Sequence, residues 1–206
     1  MREKPILFST PMVLAILEGR KNQTRRAINP QPKYVLKKHN EEWYEYSETP
    51  MADIICNSPW GNSYQCKYKV NDILWVRETF GKDDEVFKDQ KGYFYKIFGN
   101  REFGYEISGM GKCWKPSIFM PREAARIFLK VKNIKVERVQ DISEKEAESE
   151  GAYKAAWIVS TAKEGDKIQE PMFRNGFANL WDKINSKRGF GWEMNPLCWV
   201  ISFECL

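Results

Sequence analysis

From Ile127 to Val136 the apolar residues keep a two-residue period and then lose its phase. Ile127, Leu129 and Val131 share one face of an extended chain, whereas Ile134 and Val136 resume one residue out of step. Side chains of a strand alternate between faces, so a slip of one residue moves the apolar set to the other side. The spacing predicts a long strand with a bulge or bend near Lys132 and Asn133, which is how a small sheet curls toward closure.

The remaining elements are short and intermixed. Pro5 to Phe8 reads as an entering strand, Ile73 to Val76 as a buried one after the Asn71-Asp72 turn signal, and Tyr93 to Phe98 as another between Gly92 and Gly99. The last strand places Leu197, Trp199, Ile201 and Phe203 on one face and Ser202 and Glu204 on the other. Between them lie three helices. The first has Thr10 as N-cap, Pro11 at its first position, Met12, Val13, Ile16 and Leu17 on one face, and Gly19 as its stop. The second runs from Glu144 to Glu150 behind a Ser143/Glu146 capping box and stops at Gly151; the third carries Phe173, Phe177, Leu180, Trp181 and Ile184 on one face. One helical turn is expected after Pro121, and residues 30–70, with prolines at 30, 32, 50 and 59, read as irregular. No βαβ period and no internal repeat is present. The expectation is an α+β chain: one domain over 1–206, a mixed β-barrel flanked by short helices, with insertions near 30–70, 81–115 and 152–170.

Composition narrows the function. With 42% hydrophobic and 30% charged residues the chain lies in the globular range. No run nears the roughly 20 apolar residues of a membrane helix, and no signal peptide is recognisable, so a cytoplasmic protein without membrane partners is expected. Five cysteines without a C-x-x-C pair and a single histidine, His39, placed on a solvated loop, argue against a disulfide framework or a metal site. No cofactor is expected. Positive charge is local: residues 1–40 carry nine Lys or Arg against two Glu, +7, and the remainder has a net −2. Such a patch fits one anionic partner, or is simply a solvated basic loop.

Within it, Arg20, Lys21, Gln23, Thr24, Arg25 and Arg26 follow the helix-ending Gly19. Arginine forks suit phosphate, a desolvated Lys21 can act as a base, and Thr24 offers a hydroxyl; an isolated K-x-x-T is more often a solvated turn. Trp75, Arg77 and Glu78 close the buried strand, lining a pocket or forming a surface ion pair. Glu150, read alone, belongs to the solvated face of an acidic helix. Trp60, Trp114 and Trp192, beside Gly, Pro or Lys, are candidates to stack on bases.

Taken together, Leu17 to Lys21 with Thr24 and Arg26, Asp72 to Glu78, Asp141 to Gly151, and Trp199 to Phe203 resemble the ASCH family of PUA-like domains, in order and in spacing. The nearest resemblance is to phage- and prophage-encoded members, through Pro5 to Ser9, Pro11-Met12 and the Phe177 to Asn185 helix. A more distant one, to small bacterial N(4)-acetylcytidine amidohydrolases, rests on K-x-x-T, the Ser143 to Glu150 helix and the Val200 to Leu206 end. It implies that Lys21, Thr24 and Glu150 are catalytic: a threonine or water nucleophile activated by a neutral lysine, with the glutamate moving protons. Arg20, Gln23, Arg25, Arg26, Trp75, Arg77 and Glu78 are then candidate substrate or nucleic-acid contacts, and RNA or a modified nucleoside is the implied partner. Asn22 stands where that branch has threonine. A non-catalytic RNA-binding module and a ribonuclease are the alternatives.

Overall fold

A computed structural model describes residues 2–32, 34–39, 42–45, 54–56, 65–82, 93–96, 114–156 and 171–206. Its elements run β1 (Glu3–Leu7), α1 (Thr10–Leu17), β2 (Gln23–Ala27), β3 (Tyr34–His39), β4 (Glu42–Glu45), β5 (Ile54–Cys56), β6 (Ile73–Arg77), β7 (Phe80–Lys82), β8 (Tyr93–Tyr95), β9 (Phe128–Arg138), α2 (Glu144–Ser149), α3 (Phe173–Asn185) and β10 (Leu197–Cys205). The chain is α+β, with a mixed sheet of order β1-β6-β9-β10-β2 and two small sheets, β4-β3-β5 and β7-β8. Among the described residues no pairing joins β1 to β2 to close a barrel. Two compact units are distinguished: Met1–Arg20 with Val70–Lys132 and Phe203–Leu206, and Lys21–Lys69 with Asn133–Ser202.

In the first unit β1 lies parallel to β6, Glu3 opposite Ile73 and Leu7 opposite Arg77, and β6 runs antiparallel to the start of β9. Leu74, Trp75 and Val76 are all buried, as a continuous apolar run requires when both faces of a strand are covered. The N-cap of α1 is Ser9, one residue before the expected Thr10, and Gly19 (φ +73°) ends it with its N–H on the Ile16 carbonyl, 3.0 Å away. Met12, Val13 and Ile16 are buried but Leu17 is exposed, so the apolar stripe stops at Ile16, one residue early. The antiparallel pair β7-β8 and the turn Arg122–Ala124 after Pro121 enclose Phe80, Met120 and Ala124, with Tyr93 and Tyr95 against them.

In the second unit β9 continues past the phase change. Lys132 and Asn133 are both exposed, after which Val136 and Glu137 are both buried, and the strand stays unbroken through Arg138. The core gathers Val139, Ile142, Ala147, Phe177, Trp181, Trp192, Cys198 and Val200. Leu197 packs instead with Ile28 and Val136, so both faces of β10 are covered and the expected polar face is confined to its end. Trp192 is core and unavailable to a base. Trp60, Phe98, Cys113, Gly92 and Gly99 fall outside the described residues, as does most of the 81–115 and 152–170 segments.

The Ser143/Glu146 capping box forms as read, and α2 ends in a Schellman turn. Gly151 (φ +79°) donates to the Glu148 carbonyl at 2.8 Å and Ala152 to the Ala147 carbonyl at 3.2 Å, with both alanines in the core. Glu144 accepts the N–H groups of Phe173 (2.9 Å) and Arg174 (3.0 Å), so an acid of α2 satisfies two of the open donors at the start of α3. On α3 the buried set is Asn175, Phe177, Ala178, Trp181 and Asn185; Ile184 points outward, against expectation, because the buried face turns toward 178 and 185.

The 30–70 segment is not irregular throughout. β3 pairs antiparallel with β4 and with β5, and His39 belongs to β3, opposite Glu42, rather than to a loop. Pro30 and Pro32 precede β3, where a missing N–H interrupts no ladder, and Pro50 and Pro59 fall outside the described residues. Among the described residues no helix is long and apolar enough to cross a membrane.

Gly176 is a close-approach glycine: a Cβ there would lie 1.7 Å from the Tyr153 carbonyl oxygen, whereas one at Gly189 (φ +80°) would meet nothing within 4 Å. Gly176→Ala is expected to destabilise by more than Gly189→Ala, whose cost is about 1–2 kcal/mol from the left-handed backbone alone. Equal shifts in thermal midpoint would show that α3 does not press against residue 153.

Candidate functional site

The basic segment expected as a loop is largely a strand. Gln23, Thr24, Arg25, Arg26 and Ala27 form β2, paired antiparallel with β10 so that Thr24 faces Ile201 and Arg25 faces Val200. It carries no apolar alternation because its buried face meets acids rather than hydrocarbons. Alternation puts Gln23 and Arg25 on one side and Thr24 and Arg26 on the other. Asn22 N–H donates to the Ser149 carbonyl at 3.0 Å, tying the approach to β2 to the end of α2.

Glu150 follows that helix end as its C-cap and is buried, 3% exposed. Lys21 Nζ donates to Glu150 Oε2 at 3.0 Å, to the Glu150 carbonyl at 2.7 Å and to the Gln23 carbonyl at 2.7 Å. The other carboxylate oxygen, Oε1, takes Arg25 Nη1 at 3.3 Å, while Arg25 Nη2 reaches Glu137 Oε2 at 2.9 Å and Glu146 Oε2 at 3.3 Å. Lys135 bonds to Glu146 Oε1 at 3.0 Å and contacts Glu137. Three cations and three carboxylates thus form one cluster, with the Lys21–Glu150 pair at its most buried part and Lys135 and Glu146 at its more accessible edge.

Burial pushes the Lys21 ammonium below its ordinary range; Glu150 draws it back up, and Arg26 and Arg25 push it down again. Burial also works against Glu146, but the Ser143 backbone N–H, Lys135 and Arg25 outweigh it and hold the carboxyl at about 2. Burial opposes the charge of Lys135 too, and its bonds to Glu137 and Glu146 keep its pKa raised. The Cys198 thiol, donating to the Glu137 carbonyl at 3.3 Å, is pushed up by burial and stays protonated.

Two buried donors on this face of β2 have no hydrogen-bond acceptor among the described residues: Gln23 Nε2 and Arg25 Nε. Every other nitrogen of the Arg25 guanidinium is engaged by carboxylate.

Of the sequence-singled residues, Lys21, Arg25 and Glu150 meet directly and Gln23 adjoins them through its carbonyl. Thr24 is buried and stands on the opposite side of β2 from Gln23 and Arg25. Arg25 is wholly internal and presents nothing to a phosphate backbone. Arg26 opposes Trp199 in register, and burial lowers its pKa while Tyr68 raises it and Arg188 lowers it. Arg20 is partly exposed and pairs with Glu18.

Trp75, Arg77 and Glu78 belong to the first unit. Glu78 is buried and pairs with Arg126, both forks at 2.9 Å, not with Arg77; Arg126 stacks on Tyr95 at 4.1 Å and Arg77 on Trp75 at 4.7 Å. Sequence reasoning missed Glu137, Glu146 and Lys135 as members of the cluster. The signal for Glu137 was an acid set among the apolar positions after the phase change of β9. No family model, curated protein or solved structure matches this chain. Among the described residues no group of three or more His, Cys, Asp or Glu is arranged to hold a metal ion.

Removing Arg25 leaves Glu137, Glu146 and Glu150 without their common cation. Arg25→Met is therefore expected to cost about 3–5 kcal/mol, the range for breaking a buried ion pair; a loss under about 1 kcal/mol in denaturant unfolding would contradict the cluster. A carboxyl lowered from 4.5 to about 2 on folding adds stability that is complete above pH 4.5 and is lost as pH falls toward 2. Glu146→Gln should flatten the fall in thermal midpoint over that window, and an unchanged slope would count against Glu146 as an anchored carboxylate.

Proposed function

We propose that this chain is an ASCH-type, PUA-like protein that hydrolyses the amide of an N-acylated, cytidine-like base, with Lys21 and Glu150 as its proton-handling pair. The supporting observation is the contact between Lys21 Nζ and Glu150 Oε2, 3.0 Å apart and nearly out of water. A lysine whose pKa is lowered by burial can act as a base, and a neighbouring carboxylate can hold the proton it gives up.

With the proton on Glu150, neutral Lys21 takes a proton from a water as nucleophile, Thr24 standing on the other face of β2. The nucleophile adds to the acyl carbon, the C–N bond breaks, and Glu150 returns its proton to the departing exocyclic nitrogen. The products are the free amine and a carboxylic acid. Arg25 on Glu150 Oε1 keeps the carboxylate turned toward Lys21. RNA carrying such a base and the free nucleoside are both substrates of this class. The barrel closure and cytoplasmic location of that superfamily belong to the same proposal.

A second reading, a non-catalytic RNA-binding module, draws on Arg26 with Tyr68 and Arg188 beside it. It requires affinity that falls linearly with the logarithm of salt concentration and weakens on Arg26→Glu.

Acylated cytidines incubated with the protein are expected to lose the acyl group, followed by mass spectrometry. Lys21→Ala and Glu150→Gln should each lower turnover by about a hundredfold or more. The wild-type rate should fall as pH rises through the Lys21 pKa, which burial sets below the ordinary lysine value of 10.5, because the proton that passes to Glu150 and on to the leaving nitrogen is then gone. Full turnover in a folded Lys21→Ala protein sinks the reading.

A further inference from the structure

The cluster around Glu150 is internally matched in charge, yet it leaves two donors unmatched. Gln23 Nε2 and Arg25 Nε are both buried, both without an acceptor among the described residues, and both on the same side of β2, two residues apart. Two residues of strand span about 6–7 Å, so these donors point into one neighbourhood. A buried amide or guanidinium N–H without an acceptor is unfavourable and rare, and two side by side beside a desolvated lysine mark a place where an acceptor arrives from outside.

The charge of the surroundings says what kind of acceptor. Lys21, Arg25 and Lys135 are balanced by Glu137, Glu146 and Glu150. An anion would enter next to three carboxylates already holding the cations, whereas a neutral carbonyl oxygen accepts from both donors and disturbs no ion pair. The primary amide of Gln23 is suited to that task, being an uncharged donor that discriminates oxygen acceptors by geometry.

We propose that Gln23 Nε2 and Arg25 Nε form a recognition subsite for a neutral carbonyl oxygen of the ligand, adjoining the Lys21–Glu150 pair. The subsite rests on the nucleoside reading above and deepens it. Gln23 is a specificity residue: it selects a base that presents a carbonyl and leaves the proton transfer to its neighbours. An acylated cytidine offers two such oxygens, one on the ring and one on the acyl group.

The test uses the full chain, Gln23→Met, and two probes, cytidine with only the ring carbonyl and N-acetylcytidine with both. Methionine keeps the length of the side chain and removes the donor. In the absence of ligand the thermal midpoint of Gln23→Met is expected to equal or exceed that of the wild type, because an unsatisfied buried donor is lost. A lower midpoint would mean that the amide holds a structural acceptor such as a buried water, and overturns the subsite. Binding, followed by titration calorimetry, should weaken by about tenfold or more, the worth of one hydrogen bond to a buried donor. Equal weakening for both probes assigns the ring carbonyl, and weakening for N-acetylcytidine alone assigns the acyl oxygen. Wild-type binding that Gln23→Met leaves unchanged overturns the subsite alone. Absence of saturable binding of either probe to the wild type overturns the nucleoside reading and the subsite with it.

Discussion

The second unit is organised around one buried carboxylate. Glu150 gives one oxygen to Lys21 and the other to Arg25, and both cations are as inaccessible as the acid. Charges removed from water must find each other with good geometry or remain uncharged, because desolvation otherwise exceeds the attraction. The surrounding elements can be understood as what that geometry demands. β2 has to be a strand so that Arg25 reaches inward beside the ladder with β10, and α2 has to end where it does so that Glu150 faces Lys21.

The end of α2 is fixed by backbone chemistry rather than by the charges themselves. Gly151 adopts the left-handed conformation, its N–H and that of Ala152 close the Schellman turn, and Ala147 and Ala152 sink into the core. Those contacts leave Glu150 one position short of the glycine with its side chain turned inward. At the other end of the helix Glu146 serves twice, as the capping-box residue for Ser143 and as an acceptor for Arg25 and Lys135. Glu144 serves α3. An acidic helix that would be a solvated face in isolation is thus consumed residue by residue, with Glu148 left on the surface.

How much of this was readable in the sequence depended on whether local chemistry or distant partners decided the outcome. Gly19, Gly151 and the Ser143/Glu146 box were legible because caps act within a few residues of themselves. The phase change of β9 was legible as well, since Lys132 and Asn133 break a period that only one face can sustain. β2 was not legible. Gln-Thr-Arg-Arg-Ala has neither the apolar alternation nor the turn residues that mark a strand, and it becomes one because β10 and three glutamates lie beside it. The pairing of Glu78 with Arg126 instead of Arg77, and the strands between residues 34 and 56, were likewise hidden, being set by partners that the local pattern does not reveal.

The same cluster sets terms for any chemistry at Lys21. Three oxygens surround Nζ, which matches the three N–H bonds of an ammonium, so the resting pair is an ion pair. Loss of a proton to bulk water would leave Glu150 facing Arg25 with one cation fewer in a medium that screens poorly. Passing the proton from Nζ to Oε2 keeps the cluster at constant charge and moves it a fraction of the 3.0 Å between the heavy atoms. Under the proposed function that internal shift is the step burial opposes least, and it yields the neutral amine the reaction uses. A carbonyl docking at Gln23 and Arg25 adds no charge to the cluster, so recognition and proton transfer can proceed side by side without either unbalancing the other.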